Sequence, residues 1–251
     1  MKVIKLGGHA MSASAGWSKP IVAAWKEGED FVVVHGGGPQ IDKALTSQGI
    51  AAEFCDGLRV TTEATMDIVE KTLTGEVLRR VVKDLVVNGA NAVGLTGLDS
   101  RLIQAKFKDF SKYGFVGEVT AISPGILELL LSKKFLPVIS PIGVNESGNS
   151  LNINADTSAG AIAGTMKADE IIFMTDVPGI YRNWPDKSSL IHQTSVSELE
   201  NMEFEGGMVP KVAAVINAIT SGAKAARVID GNEPAALESA LKGVGGTLVL
   251  P

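Results

Sequence analysis

The sequence predicts an α/β fold: an open, mostly parallel sheet sandwiched between helices, with β-hairpins laid over its active-site edge. Three observations predict it. Short β-branched and apolar runs recur along the chain, and longer helical patterns with their own start and stop signals fall between them. Glycine clusters follow the first two runs, where an open parallel sheet places its ligands.

The strand runs are Val3-Ile4-Lys5-Leu6, Phe31-Val32-Val33-Val34-His35, Ala92-Val93-Gly94-Leu95, Leu136-Pro137-Val138-Ile139, Ile171-Ile172-Phe173-Met174 and Ala226-Arg227-Val228-Ile229. Their near-continuous apolar character means that both sheet faces are covered. Ser18 and Pro20 open a helix that Gly28 closes, Pro39 opens another that Gly49 closes, and Thr61 or Thr62 caps a long one ending near Gly89. Two stretches break the alternation, Ala51 to Thr61 and Asp99 to Thr120, and read as antiparallel hairpins able to act as lids. The polar stretch Gly143 to Ser150 reads as a loop inside one domain, between a first lobe of about 1–145 and a second of about 146–251.

With 251 residues, 45% of them hydrophobic, the chain can bury a large core, and disorder is excluded. Basic and acidic residues number 23 and 28, a net charge of −5 with no block of like charges. That balance argues against a nucleic-acid grip or a polybasic membrane anchor. The single cysteine, Cys55, allows no internal disulfide, and no Cys/His cluster offers a zinc site. No apolar run of signal-peptide length precedes Gly7-Gly8, and no run of about eighteen apolar residues follows. A soluble, unprocessed, cytoplasmic protein is expected.

The glycine clusters are Gly7-Gly8, Gly36-Gly37-Gly38 and Gly206-Gly207, the last just before Lys211. Loops without side chains let backbone N–H groups approach anionic oxygens, and the helix opening at Pro39 adds its positive end. Neither GxxxxGK[ST] nor GxGxxG occurs, so a Walker loop and a standard dinucleotide site are unsupported. Lys5 interrupts an apolar strand, where an ammonium is costly unless it meets an anion. Two cations flanking a phosphoryl group are what phosphoryl transfer needs.

Asp156 has two readings, a cap on the helix that follows or a carboxylate held between Lys5 and Lys211. Arg59 is either half of a surface salt bridge or a two-pronged grip on a carboxylate. Asp176-Val177-Pro178-Gly179 reads as a type II turn able to floor a nucleotide pocket. His9, His35 and His192 share no metal-ligand spacing, and His35 reads as a core histidine.

Taken in order, Val3-Ile4-Lys5-Leu6-Gly7-Gly8, Val34-His35-Gly36-Gly37-Gly38-Pro39, Asp56-Gly57-Leu58-Arg59-Val60-Thr61, Asn152-Ile153-Asn154-Ala155-Asp156, Thr175-Asp176-Val177-Pro178-Gly179 and Gly206-Gly207-Met208-Val209-Pro210-Lys211 resemble the amino acid kinase family. Within it, the Asp56–Thr61 and Asn152–Asp156 motifs resemble the members that phosphorylate the side-chain carboxylate of N-acetyl-L-glutamate. The resemblance implies ATP as donor, with Mg2+ carried on its phosphates, and an acyl phosphate of arginine biosynthesis as product. It implies that Lys5, Lys211 and Asp156 are catalytic and that Gly37, Gly38, Arg59 and Asn152 hold the acceptor. Gly7, Gly8, Asp176, Val177, Pro178, Gly179, Ile180 and Tyr181 would hold the nucleotide.

The family often carries a Lys-Val-Asn-Lys-like stretch in its long helix where this chain has Glu76-Val77-Leu78-Arg79. Arginine-inhibited members carry an additional helix before the first strand, which here begins at Val3, so a homodimer without arginine feedback is expected. Two other readings stay open at this point. One is a kinase acting on an acceptor borne by a small acidic carrier protein, for which Arg101, Lys106, Lys108 and Lys112 supply a basic hairpin. The other is a non-catalytic amino-acid sensor of the same fold.

Overall fold

A computed structural model of the chain describes residues 1–8, 11, 16–206 and 208–251; His9 and Gly207 lie outside the described residues. In chain order the strands are β1 (Lys2–Leu6), β2 (Phe31–His35), β3 (Phe54–Cys55), β4 (Leu58–Arg59), β5 (Ala92–Thr96), β6 (Ile103–Phe107), β7 (Gly117–Ile122) and β8 (Leu136–Ser140). They continue as β9 (Ile142–Val144), β10 (Ser150–Asn152), β11 (Glu170–Thr175), β12 (Ile180–Tyr181), β13 (Leu190–Ile191), β14 (Gln193–Ser195), β15 (Ala226–Asp230) and β16 (Thr247–Leu250). The helices are α1 (Ser18–Lys26), α2 (Gly38–Ser47), α3 (Glu63–Glu70), α4 (Leu78–Val87), α5 (Phe110–Tyr113), α6 (Gly125–Ser132), α7 (Ala155–Thr165), α8 (Val196–Glu200), α9 (Met208–Thr220) and α10 (Pro234–Leu241).

The main sheet runs β14-β16-β15-β11-β1-β2-β8-β5. Every neighbouring pair is parallel except β15 with β16. Its side chains feed two cores. Val3, Val32, Val34, Ile139 and Phe173 pack toward Ile162 of α7 and Val215 of α9, while Ile4, Leu6, Val33 and Val138 pack toward Ile21, Leu45 and Leu85 of the helices on the other face. This two-sided burial is why the strands are near-continuously apolar: all five residues of β2 are buried. It also carries the carboxyl ends of β1 and β2 to the same level, with Leu6 opposite His35.

The long helical region begins where expected: Thr62 is the N-cap, its Oγ1 accepting from Thr65 N at 3.2 Å. Between α3 and α4 the backbone widens into a π-helical stretch, Lys71–Val77, that the sequence does not announce. The stretch puts Leu73 into the site described below.

Both expected hairpins form. β3 and β4 pair antiparallel, as do β6 and β7. The second belongs to a small sheet of order β10-β9-β6-β7. Here one expectation is corrected: Gly143 to Ser150 is not only a loop, because β9 and β10 pair antiparallel across it, Leu151 opposite Gly143. Two further readings are corrected. Asn154, not Asp156, caps α7, its Oδ1 accepting from Asp156 N at 2.9 Å and Thr157 N at 3.1 Å. The stretch after Asp176 is not a type II turn, since Gly179 is absent from the left-handed glycines that such a turn requires. It is fixed instead by Thr247, whose Oγ1 accepts from Ile180 N at 2.8 Å.

Candidate active site

Lys5 occupies β1 one residue before its end, between Val34 of β2 and Phe173 of β11. Its side chain, only 11% exposed, reaches over the carboxyl edge of the sheet to Asp156, Nζ to Oδ1 2.8 Å. Because Asn154 satisfies the first N–H groups of α7, the Asp156 carboxylate is left to meet the lysine. Lys211 projects from the first turn of α9, and its Nζ lies 3.1 Å from Asp176 Oδ1, immediately after β11. The sequence did not reveal that second ion pair.

Two cavities adjoin at this point. The first, of about 240 Å³, is lined by Lys5, Gly7, Gly8, Asp156, Asp176 and Lys211 together with the apolar walls of Phe173, Ala214 and Val228. The second, of about 310 Å³, is lined by Lys5, Gly8, Asp156, Gly36, Gly37, Gly38, Arg59 and Asn152, with Leu58, Leu73, Val116 and Ile153 as apolar walls. Lys5, Gly8 and Asp156 therefore belong to both. Gly8 tolerates no side chain: a Cβ there would sit 2.6 Å from Pro39 Cδ. The close approach keeps the two glycine loops in contact on the cavity wall.

Arg59 is not a surface salt bridge. Its side chain is buried, its guanidinium stacks 4.7 Å from the Phe54 ring centre, and Nη1 lies 2.8 Å from Asp42 Oδ1 of α2. That contact is out of line for a hydrogen bond, and Nη1 makes none among the described residues. A buried guanidinium on the wall of a cavity, ion-paired with Asp42 but not hydrogen-bonded through Nη1, is suited to sharing its charge with an incoming carboxylate. Asn152 Nδ2 donates to Thr61 Oγ1 at 3.1 Å, which fixes the amide beside Arg59. Asp42 and Phe54 carried no signal in the sequence; each becomes recognisable only when the hairpin register sets Phe54 opposite Arg59.

His35 is fully buried at the end of β2, directly before the glycine cradle. Its Nδ1 is 2.8 Å from the Gly36 carbonyl, and burial lowers its pKa to about 4, so the ring is neutral at working pH. Of the remaining predicted positions, Val177 and Tyr181 pack with Met208 in a small apolar cluster. Tyr181 also lines a separate cavity with Trp184 and Phe204. Pro178 and Gly179 form the connection into β12, which Ile180 opens, and none of the three lines either of the two adjoining cavities. Among the described residues no group of three or more His, Cys, Asp or Glu could hold a metal, and no helix is long and apolar enough to cross a membrane.

Residues 1–230 match the model of the amino acid kinase family. The chain belongs to that family. Among curated amino acid kinases it is 44% identical over 249 residues to an acetylglutamate kinase of Archaeoglobus fulgidus, covering 92% of this chain and 86% of that one. It is 46% identical over 240 residues to an acetylglutamate kinase of Syntrophomonas wolfei, covering 92% and 84%. Among solved structures, smu.665 of Streptococcus mutans superposes with a TM-score of 0.86 at 27% identity, over 99% of this chain and 98% of that one. The amino acid kinase fold thus extends over nearly the whole chain, hairpins included.

Proposed function

We propose that this chain transfers the γ-phosphoryl group of ATP to the side-chain carboxylate of N-acetyl-L-glutamate, giving an acyl phosphate for arginine biosynthesis. One observation carries the reading: two cavities of different character share Lys5, Gly8 and Asp156 at their junction. The nucleotide occupies the side of Asp176 and Lys211, against the apolar walls of Phe173, Ala214 and Val228. The acceptor occupies the side of Arg59 and Asn152, with the apolar walls around Leu73 and Val116 taking the acetyl group. The relatives named acetylglutamate kinase support the same assignment. The chain acts as one domain, residues of about 1–145 supplying most of the acceptor side and about 146–251 most of the nucleotide side.

The acceptor needs no general base, since a side-chain carboxylate is ionised at pH 7. Its oxygen attacks the γ-phosphorus in line as the bond to the β-phosphate oxygen breaks and ADP leaves. Lys5 and Lys211 offset the charge that develops on the transferring group, and Asp156 holds Lys5 in place. Backbone N–H groups of Gly8, Gly37 and Gly38 face the phosphoryl oxygens. Mg2+, an ion that needs few protein ligands there, would neutralise part of the charge of the nucleotide phosphates when bound on them.

ADP release measured against N-acetylglutamate, glutamate, aspartate, carbamate and uridylate tests the proposal. Turnover with N-acetylglutamate alone is expected; turnover with none, or a preference for another acceptor, overturns it. The carrier-borne acceptor is disfavoured because two cations of the hairpin are already paired, Lys106 with Glu118 and Lys112 with Asp56. We also read the protein as a cytoplasmic homodimer. β5 ends the main sheet as an open edge, and α4, which packs against it, exposes Val86 and Val87. Light scattering of the purified chain should give twice the monomer mass.

A further inference from the structure

We infer that Asp56 and Tyr113 are positioning residues for the acceptor side, a latch that holds the β3–β4 hairpin and with it Arg59 over the cavity. The inference rests on the reading of Arg59 as the carboxylate grip. The hairpin cannot hold itself: each strand has two residues, and an isolated two-stranded ribbon is at best marginal in water. Yet it carries Arg59 and the Phe54 ring on which Arg59 stacks, and Phe54, 58% exposed, gains little from burial.

The missing restraint comes from one residue of the neighbouring hairpin. At the base of β3–β4, Thr61 N donates to the Tyr113 carbonyl at 2.9 Å, and Phe115 N donates back to the Thr61 carbonyl at 2.7 Å. At the tip, the Tyr113 hydroxyl donates to Asp56 Oδ2 at 2.6 Å, and Lys112 Nζ donates to the same oxygen at 2.6 Å. Tyr113 therefore grips both ends of the hairpin, through its backbone and its phenol. The turn is shaped to present the acid, because Asp56 and Gly57 both take left-handed backbone, φ 49° and 74°. The other side of the latch is equally fixed: Asp109 caps α5, accepting from Lys112 N, and the Tyr113 side chain is buried. The two donors hold the Asp56 carboxyl below the usual carboxylate range, so the latch stays ionised through neutral and mildly acid pH.

Tyr113→Phe removes only the hydroxyl, and Asp56→Asn keeps the left-handed turn while removing the charge. In ligand-free protein, amide exchange over residues 53–60 should speed up in both variants while β6 and β7 exchange as before. In turnover, KM for N-acetylglutamate should rise about fivefold, the scale of losing one charge-assisted hydrogen bond near the surface, with kcat and KM for ATP unchanged. The double variant should cost less than the sum of the two single ones, since both substitutions act on the same Tyr113–Asp56 hydrogen bond. Unchanged exchange over 53–60, equal shifts in both KM values, or additive effects in the double variant would overturn the latch. The exchange readout needs no substrate, so a failed latch is distinguishable from a wrong acceptor.

Discussion

Acidification should weaken this protein through His35 before it weakens it through its carboxylates. The imidazole is fully buried, its Nδ1 is tied to the Gly36 carbonyl, and its Nε2 has no partner among the described residues. Its pKa is lowered from 6.5 to about 4, chiefly by burial. A group whose folded pKa is depressed takes up its proton first in the unfolded chain. Stability is therefore fully present above pH 6.5 and is lost as pH falls toward 4. At 1.36 kcal/mol per unit the full window is worth about 3 kcal/mol, of which about 2 kcal/mol is gone by pH 5. Urea denaturation of the wild type and of His35→Leu between pH 7.5 and 4.5, these limits being set at roughly the window the linkage relation defines, isolates the effect. The variant loses a hydrogen bond at every pH, which is a constant offset; the slope is what His35 supplies. Parallel stability curves for the two proteins would refute the argument, for they would mean that the ring is protonated in the folded state or that the unfolded chain does not gain a proton.

Lys211→Ala, by removing one of the two cations at the junction, should lower kcat roughly a hundredfold or more with far-ultraviolet circular dichroism unchanged; turnover near normal would remove Lys211 from the chemistry. Arg59→Lys should raise KM for the acceptor about tenfold or more despite keeping the charge, because an ammonium neither stacks on Phe54 as a plane nor grips a carboxylate with two prongs. Far from the site, Arg227 pairs with Glu170 at 2.6 Å inside the sheet and also donates to the Gly245 carbonyl. Arg227→Leu strands a buried carboxylate and should cost about 3 kcal/mol or more in denaturant unfolding, whereas a paired Arg227→Leu, Glu170→Leu variant should recover much of it.

The parts of the fold that were legible are those where one physical rule acts alone. The run from Phe31 to His35 matches β2 residue for residue because a strand buried on both faces has no polar position to blur its ends. Thr62 caps α3 as its type requires. The short pieces were not legible. β9 and β10 have three residues each, too few to show alternation, and the turn between them is as polar as any loop. Lys71–Val77 widens into a π-helix without a proline, and Thr74 and Gly75 within it are too common in helices to announce it. In the site, Lys5 stood out because a charge in an apolar strand needs a reason. Asp156 did not separate from a cap until Asn154 was seen to take that role. Asp42 and Asp176 were invisible as partners, since nothing local tells which acid a distant cation will meet.

Those three acids explain how so many cations can wait in one place. Lys5, Lys211 and Arg59 each face the adjoining cavities, and each has its own aspartate: Asp156, Asp176 and Asp42. In every pair the cation is the more buried member, with side-chain exposures of 11, 21 and 7% against 33, 64 and 49% for the acids. A cluster of half-buried cations with no counter-charge would be costly before any nucleotide arrived. Pairing removes most of that cost, while the acids stay where water can solvate them when a phosphate or carboxylate takes a share of the cation. Near the surface such pairs contribute little to stability. Their effect is to hold each positive head pointing inward with its side-chain freedom already lost, so less ordering is left for the step in which charge develops. The arrangement gives the chain, at a net charge of −5, a local site for anions that its overall composition conceals.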